Sequence, residues 1–328
     1  MRNGACLDLH QDREAEDVMS EKGRRPEQRA GDDDTVEGIV ITHPDRELFP
    51  KAGVRKIDIA RHYGRVGARM SVVSGARPVS LLRCPAGIDG ECFFQKHAGK
   101  GFPEELARID IAEKDGETGE YLYVAGPEGY VAAAQMGTIE FHGWAARADR
   151  LERPERMVFD LDPDEGLGFA ETKTAAFDLK ALLSDIGLEA YAMVTGGKGI
   201  HIVAPIRRTV GWETFTTFAR TLAHLMADAQ PDRFTATMSK EKRKGRIFID
   251  WLRNERGATA ILPYSVRARP GAPVATPVTW DELKDLKSAA AFGLENMAER
   301  LKRDDPTLAV KPQTLGKTMI GRLEKRTR

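Results

Sequence analysis

Asp160 and Asp162 stand two residues apart in Phe159-Asp160-Leu161-Asp162-Pro163. In an extended segment alternate side chains share a face, so both carboxylates point one way while Phe159 and Leu161 point the other. Two carboxylates crowded at one strand repel unless a cation lies between them, and aspartate is rarely buried without a partner. Hard oxygen donors of this kind suit magnesium or manganese rather than zinc. A third acid, Asp250, closes the apolar run Ile247-Phe248-Ile249-Asp250-Trp251. Three acids at the ends of two strands can hold a pair of metal ions about 3.5 to 4 Å apart, a spacing suited to in-line phosphoryl displacement. Taken alone, an Asp-x-Asp before proline is more often a turn or strand-end acid pair than a metal site.

A second segment, Val194-Thr195-Gly196-Gly197-Lys198-Gly199-Ile200-His201, joins two apolar runs through glycines that allow close backbone approach to a ligand. Lys198 offers a flexible cation and His201 a further donor, both suited to phosphate oxygens. The segment is not a Walker loop, because a strand-like run follows it where that motif requires Ser or Thr and a helix. A glycine-rich hairpin turn with an exposed lysine is its structural alternative.

The elements that would position these groups can be traced along the chain. Hydrophobic periodicity predicts strands at 157–161, 190–194, 201–204 and 247–251, and amphipathic helices at 170–186, stopped by Gly187, and at 212–229. Thr279 with Glu282 has the form of a capping box and opens a last helix to about residue 303. Before residue 150 the texture differs. Residues 39–42 are β-prone, His43-Pro44-Asp45 reads as a turn, and 57–70 is helical. From 72 to 145 short runs such as Val79-Ser80-Leu81-Leu82 and Tyr121-Leu122-Tyr123-Val124 alternate with glycine and proline turns, a mainly β region. Residues 1–36 lack apolar periodicity and read as a disordered polar extension, and 306–328 as a basic tail. The fold class is α+β: one domain over 37–305, with a mainly β part at 37–150 and a part at 151–305 that carries the acids.

With 328 residues, 41% of them apolar, the chain can bury an ordinary core. Lys plus Arg and Asp plus Glu both total 50, so net charge does not point to nucleic acid; the distribution says more than the sum, although a charge run is usually a solvated face. Lys240, Lys242, Arg243, Lys244 and Arg246 form a basic run, and residues 311–328 carry a single acid, Glu324. Three cysteines, Cys6, Cys84 and Cys92, without CxxC spacing read as reduced, half-buried thiols of a reducing compartment. No apolar run is long enough to span a bilayer and no secretory signal opens the chain, so a cytoplasmic location is expected.

Taken in order, the Asp160 and Asp162 segment, the loop from Thr195 to His201, and Arg246-Ile247-Phe248-Ile249-Asp250-Trp251-Leu252-Arg253-Asn254 resemble the three motifs of the archaeo-eukaryotic primase superfamily. More closely, they are similar to the polymerase domain of the bacterial end-joining DNA ligase that works with Ku. The resemblance runs from about residue 38 to 303. It includes Thr42-His43-Pro44-Asp45-Arg46, Gly87-Ile88-Asp89-Gly90-Glu91 with Phe93-Phe94-Gln95-Lys96-His97, Phe141-His142-Gly143-Trp144, and residues 239–245.

The resemblance implies a primase-like, RRM-like catalytic core with a second, mainly β N-terminal subregion packed against it. It implies that Asp160 and Asp162 bind two divalent cations, Mn2+ or Mg2+, with Asp250 on the catalytic one. Thr195, Lys198 and His201 would meet the incoming triphosphate, Arg246 and Arg253 would be further phosphate ligands, and His142 would lie near the nucleotide. On the DNA side Arg46 and Lys56 would grip a recessed 5′-phosphate, with Arg83 nearby and Phe93 and Phe94 stacking on the template. One of these two adjacent rings should be core, leaving Phe94 the more exposed. Two departures stand out: Thr195 replaces the usual serine, and Arg46 a frequent lysine.

The implied activity is template-directed addition of nucleotides, preferentially ribonucleotides, to 3′ ends, filling gaps at double-strand breaks in bacterial non-homologous end joining beside Ku and a ligase. No lysine-centred ligase motif is evident in the chain itself. A self-starting primase, a non-catalytic end-binding module and a two-metal nuclease are the rival readings. The grip on a pre-existing end argues against the first, the acid triad against the second, and the triphosphate-suited loop against the third.

Overall fold

Short runs buried on both faces from residue 156 build one sheet, and further short strands before it build most of another. The computed structural model describes residues 32–99, 101–113 and 116–326. In chain order, the elements that bear on the site are α1 (Lys56–Ser74), β1 (Val79–Arg83), β2 (Phe93–Gln95), α2 (Pro127–Gln135), β3 (Thr138–Trp144) and β4 (Arg156–Pro163). They continue with α3 (Phe169–Ile186), β5 (Tyr191–Val194), β6 (Ile200–Pro205), α4 (Trp212–Ala229), β7 (Phe234–Thr235), β8 (Ile247–Asp250), β9 (Thr259–Ile261), β10 (Thr276–Val278) and α5 (Lys317–Arg326).

The larger sheet has the order β7-β8-β4-β6-β5-β10 and is antiparallel except for the β7–β8 pair. Phe159, Leu161, Ile200, Ile202, Ile247 and Ile249 form its inner face, packed on Leu179 and Leu183 of α3 and Phe215 and Leu222 of α4. Each such side chain contributes about 1.5–3 kcal/mol on burial, so a one-residue slip of β4, which would expose Phe159 and Leu161 and bury Asp160 and Asp162, is strongly disfavoured. The opposite face turns toward the second sheet: Val158, Tyr191 and Val203 meet Ala260, and Met193 meets Ile261. That second sheet, in the order β9-β3-β1-β2, packs on α1 and α2 around Tyr63, Tyr130 and Phe141.

Several expectations need correction. The mainly β stretch contains α2, which starts at Pro127 and buries Tyr130 and a run of alanines against α1. The helix opened by Thr279 does form its capping box, but it stops at Asp285. Lys173 Nζ takes the carbonyls of Lys284 at 2.6 Å and Leu286 at 3.1 Å, and Ala289 then accepts the amide of Gly196, so the chain beyond is used to brace the glycine loop. The two thiols expected at Cys84 and Cys92 are a disulfide. Antiparallel pairing of Arg83 with Phe93 places the next residue of β1 and the residue before β2 opposite each other, a juxtaposition that cysteine spacing does not reveal.

At the ends, residues 1–31 of the expected extension lie outside the described residues, while Asp32–Asp34 form a 3-10 turn and Thr35–Val36 pairs with Ile39–Val40. The expected basic tail is not merely a solvated segment. Leu315 and Leu323 are buried in the main core, and Gln313 hydrogen-bonds Pro205, Arg207 and Glu189. No helix among the described residues is long and apolar enough to cross a membrane.

Asn254, fully buried just past β8, ties the site to the sheet. Its Oδ1 accepts the Val158 amide at 2.8 Å, and its Nδ2 donates to Val158 O at 2.6 Å and Trp251 O at 2.8 Å. Asn254→Ala removes the side-chain partners of the Val158 amide and carbonyl, while Trp251 O keeps the backbone amide of residue 254, and it is expected to lower unfolding free energy by about 1–3 kcal/mol in urea titration. A change within error would show that the 251–254 turn is held by other means.

Candidate active site

The sheet register builds the centre. Asp160 on β4 sits directly opposite Asp250 of β8 on one side and His201 of β6 on the other, so the three side chains form a row across adjacent strands. Asp162, two residues on, shares the face of Asp160. Three acids this close need compensating charge. Arg253, in the turn after β8, places Nε 3.1 Å from Asp250 Oδ2 and Nη2 3.6 Å from Asp160 Oδ2, while Arg243 Nη1 is 3.8 Å from Asp162 Oδ2. His201 Nε2 lies 3.4 Å from Asp160 Oδ2.

The electrostatics divide the acids. Burial alone would raise Asp160, but His201 and Arg253 hold it well below the ordinary carboxylate range. Asp162 goes the other way, pushed up to about 6 by desolvation and the charge of Asp160, with Arg243 opposing. Burial also raises Asp250, against the pull of Arg253.

The donor set is all hard oxygen, and its negative charge exceeds what the two arginines offset, which fits divalent cations. Among the described residues no three His, Cys, Asp or Glu side chains are gathered around a common point, and the Arg253 guanidinium contacts both Asp160 and Asp250. Buried His201 also keeps Nδ1 without a hydrogen-bond partner, an orphaned polar atom beside the acids.

The glycine loop abuts this row. A Cβ on Gly199 would stand 2.8 Å from Leu161 O and 3.2 Å from Asp160 Oδ1, so only glycine lets the loop lie on β4. Gly196 has φ +70, the left-handed region. Thr195 is buried, and its Oγ1 donates to Gly199 O at 2.9 Å and accepts the Gly197 amide at 3.4 Å, so the hydroxyl braces the loop. Lys198 stands exposed at the tip. Arg267 Nη1 donates to Thr195 O at 2.7 Å, and the Arg269 guanidinium lies beside Gly197.

On the second sheet, His142 of β3 has Nε2 2.7 Å from Glu140 Oε2 and meets the ring of Phe94 edge-on, with centroids 5.3 Å apart. Phe93 and Phe94 are 40% and 51% exposed, so both lie at the surface: the expectation that one is core is corrected, while Phe94 is indeed the more exposed. The reason is that β2 is the edge strand of its sheet and Phe93 lies over the guanidinium of Arg83. Arg83 itself is engaged inside the protein, donating to Met136 O at 2.7 and 2.9 Å and to Gln95 Oε1 at 2.6 Å. Its placement is that of a support for Phe93 rather than an open phosphate ligand.

Lys56, the first residue of α1, is buried and donates Nζ to Thr42 O at 2.9 Å. Burial and nearby Arg46 pull its ammonium down to about 8. Arg46 is exposed and donates Nη1 to Pro85 O at 2.9 Å, and its own carbonyl accepts the Lys56 amide, so the two cations share one turn.

Residues 55–307 match the family model described as the LigD primase-polymerase domain. The chain belongs to this family. It is 37% identical over 317 residues to the multifunctional non-homologous end joining protein LigD of Pseudomonas aeruginosa, covering 93% of this chain and 38% of that protein. It is 35% identical over 251 residues to the corresponding protein of Mycolicibacterium smegmatis, covering 76% of this chain and 33% of that one. The chain therefore spans little more than a third of these relatives. Its fold is similar to the polymerase domain of Mycobacterium tuberculosis Ligase D, solved in complex with DNA, with a TM-score of 0.76 and 31% identity over 83% of this chain and 99% of that one. The α+β, primase-like architecture expected from the motifs is thus the architecture found. Membership brings with it the general activity of a primase-polymerase domain, nucleotidyl transfer.

Within that family frame, the structure brings Asp160, Asp250, His201, Arg253 and the loop at 195–199 together, with Asp162 on the same face. Arg246 stays apart, donating to Lys242 O at 3.4 Å, and it is Arg243 from the same basic run that reaches Asp162 and lies over the Phe248 ring. Sequence reading passed over Arg267, Arg269 and Glu140. The Arg-x-Arg pair ahead of Pro270-Gly271 was a visible signal of cations at a turn; an acid within the apolar run of β3 gave none.

The raised Asp162 predicts a stability effect with a definite sign. A carboxyl whose folded-state pKa lies above its unfolded value loses stabilisation as pH rises from about 4 to about 6, and the penalty is complete at pH 7. Asp162→Asn is therefore expected to raise the melting temperature at pH 7 and to show no gain at pH 4. The gain should be small, because the side chain is 54% exposed and solvent screens it. A lowered melting temperature at pH 7 would contradict the charge-crowding account.

Proposed function

We propose that this chain extends a primer 3′-hydroxyl at gaps and recessed ends of broken DNA, directed by the template and with preference for ribonucleotides, so that a ligase can seal the break. The observation that carries this reading is the row of His201, Asp160 and Asp250 with the glycine loop seated directly against it. A nuclease could use the acids, but it has little use for a cationic loop beside them. In the reaction, the 3′-oxygen attacks the α-phosphorus of a nucleoside triphosphate and pyrophosphate leaves.

Two divalent cations, Mn2+ or Mg2+, held by Asp160 and Asp162 with Asp250 on one of them, would supply a lowered pKa at the attacking hydroxyl and neutralisation of the leaving oxygens. The protein's own groups position and screen. Lys198 and His201 hold the triphosphate from the loop side, with Arg269 beside Gly197 as a further cation. Arg253 balances Asp160 and Asp250 in the apo protein and is available to phosphate once cations take over that task. His142 sits against the nucleotide.

On the DNA side, Lys56 and Arg46 take a recessed 5′-phosphate, and exposed Phe93 and Phe94 stack on template bases of any sequence. The M. tuberculosis domain that this fold resembles was solved with DNA, which supports a DNA surface here. The relatives named above are multifunctional end joining proteins, so Ku and a ligase are the proposed partners, and the nucleoid in the cytoplasm the proposed place of work.

Two outcomes are expected in primer extension on gapped DNA with manganese and ATP. Asp160→Ala abolishes incorporation; retained extension would sink the reading. Lys56→Ala loses about tenfold of the preference for a 5′-phosphorylated gap over an unphosphorylated one, the size of one charge-assisted hydrogen bond, while leaving extension on unphosphorylated DNA unchanged. An undiminished preference would move the phosphate site elsewhere.

A further inference from the structure

Glu140 lies on β3 two residues before His142 and shares its face. It is 4% exposed, a placement that costs energy unless every oxygen is used. Both are. Oε2 accepts Nε2–H of His142 at 2.7 Å, while Oε1 accepts the Ala268 amide at 2.8 Å and lies 3.1 Å from Arg267 Nε. Each partner leads into a different part of the site. Arg267 continues through Nη1 to Thr195 O at 2.7 Å, and its stem lies where a Cβ on Gly196 would fall. His142 continues to the ring of Phe94. One buried carboxylate thus connects the glycine loop on the larger sheet to the exposed aromatic on the edge of the smaller one.

We infer that Glu140 is a positioning residue for the incoming nucleotide: it fixes His142 as the Nε2–H tautomer and ties that ring to the loop braced by Arg267. The inference rests on the nucleotidyl-transfer reading above. Burial opposes ionisation of Glu140, but His142 and Arg267 hold it down to about 2, so the acceptor is a full carboxylate at neutral pH. Burial also depresses His142, which keeps the ring neutral. A neutral imidazole that donates from Nε2 must present an acceptor lone pair at Nδ1. The nucleotide therefore meets an acceptor at this ring, held at a fixed height relative to the loop that takes its phosphates.

Glu140→Gln is nearly isosteric and tests this. If Oε1 keeps Ala268 and Arg267, the new amide nitrogen faces His142 Nε2 and requires an acceptor there, which switches the ring to the Nδ1–H form. The KM for ATP in gap filling is expected to rise on the order of tenfold, with kcat changed by less than about twofold. Affinity for 5′-phosphorylated gapped DNA should stay near wild type, the melting temperature should fall because Arg267 loses its ion partner, and nitrogen-15 NMR should show the His142 proton move from Nε2 to Nδ1. In a His142→Ala background the same substitution should add little. Unchanged KM in folded Glu140→Gln overturns the inference, as does a fall in kcat as large as the rise in KM, which marks a merely structural role.

Should Glu140→Gln fail to fold, His142→Gln serves instead. It keeps a donor to Glu140 but removes the Nδ1 acceptor, and a wild-type KM there overturns the inference equally. Asp160→Ala run in parallel separates the two claims. If it incorporates nucleotide, the functional reading fails; if it is inactive while the Glu140 and His142 variants behave as wild type, only the present inference fails.

Discussion

Asp160 occupies the middle of a sheet with an acid on one flank and an imidazole on the other, and the need to balance charge at that point constrains the groups around it. The register of β4 with β6 and β8 leaves no freedom in which residues face each other. Given that register, Arg253 must stand between Asp160 and Asp250, Arg243 must cover Asp162, and no side chain can intervene where Gly199 lies on β4. The division of the acids, Asp160 held ionised and Asp162 pushed toward protonation, follows from how unevenly this balance is struck. Carboxylates crowded in this way cost stability, and the sheet with its two covering helices carries that cost.

The second dependency is between sheets. The acids and glycine loop belong to the larger sheet, and the exposed Phe93 and Phe94 to the edge of the smaller one. Two polar links join the sheets: Arg156 Nη2 on β4 donates to Ile261 O of β9 at 3.4 Å, and the Glu140 pair with Arg267 joins β3 to the glycine loop. The turn at Thr42 is anchored separately: Gln135 at the end of α2 brackets Thr42 with bonds of 2.9 and 2.7 Å, and Lys56 closes it from α1.

Much of the catalytic half was legible in the sequence because its signals are local. Alternation in Phe159-Asp160-Leu161-Asp162 shows which side chains share a face, Gly187 shows where α3 ends, and Thr279 with Glu282 shows where a helix begins. Features set by distant partners were not legible. The helix from Trp280 stops at Asp285 because Lys173, more than a hundred residues earlier, claims its terminal carbonyls. Cys84 and Cys92 pair because a strand register brings them opposite each other. Glu140 gave no signal, because the groups that use it, Arg267 and the Ala268 amide, lie more than a hundred residues away. Arg246 and Arg243 were exchanged in importance because spacing within a basic run does not show which cation turns inward.

The central claim, that Asp160, Asp162 and Asp250 form a cation site served by the glycine loop, is tested most directly by anomalous diffraction from crystals grown with Mn2+ and a non-hydrolysable nucleoside triphosphate. The account predicts manganese peaks bridged by Asp160 and Asp162, the triphosphate against Lys198 and His201, and Arg253 withdrawn from Asp160 onto phosphate. Arg253 still spanning Asp160 and Asp250, with no manganese at these carboxylates and the nucleotide bound elsewhere, would contradict it.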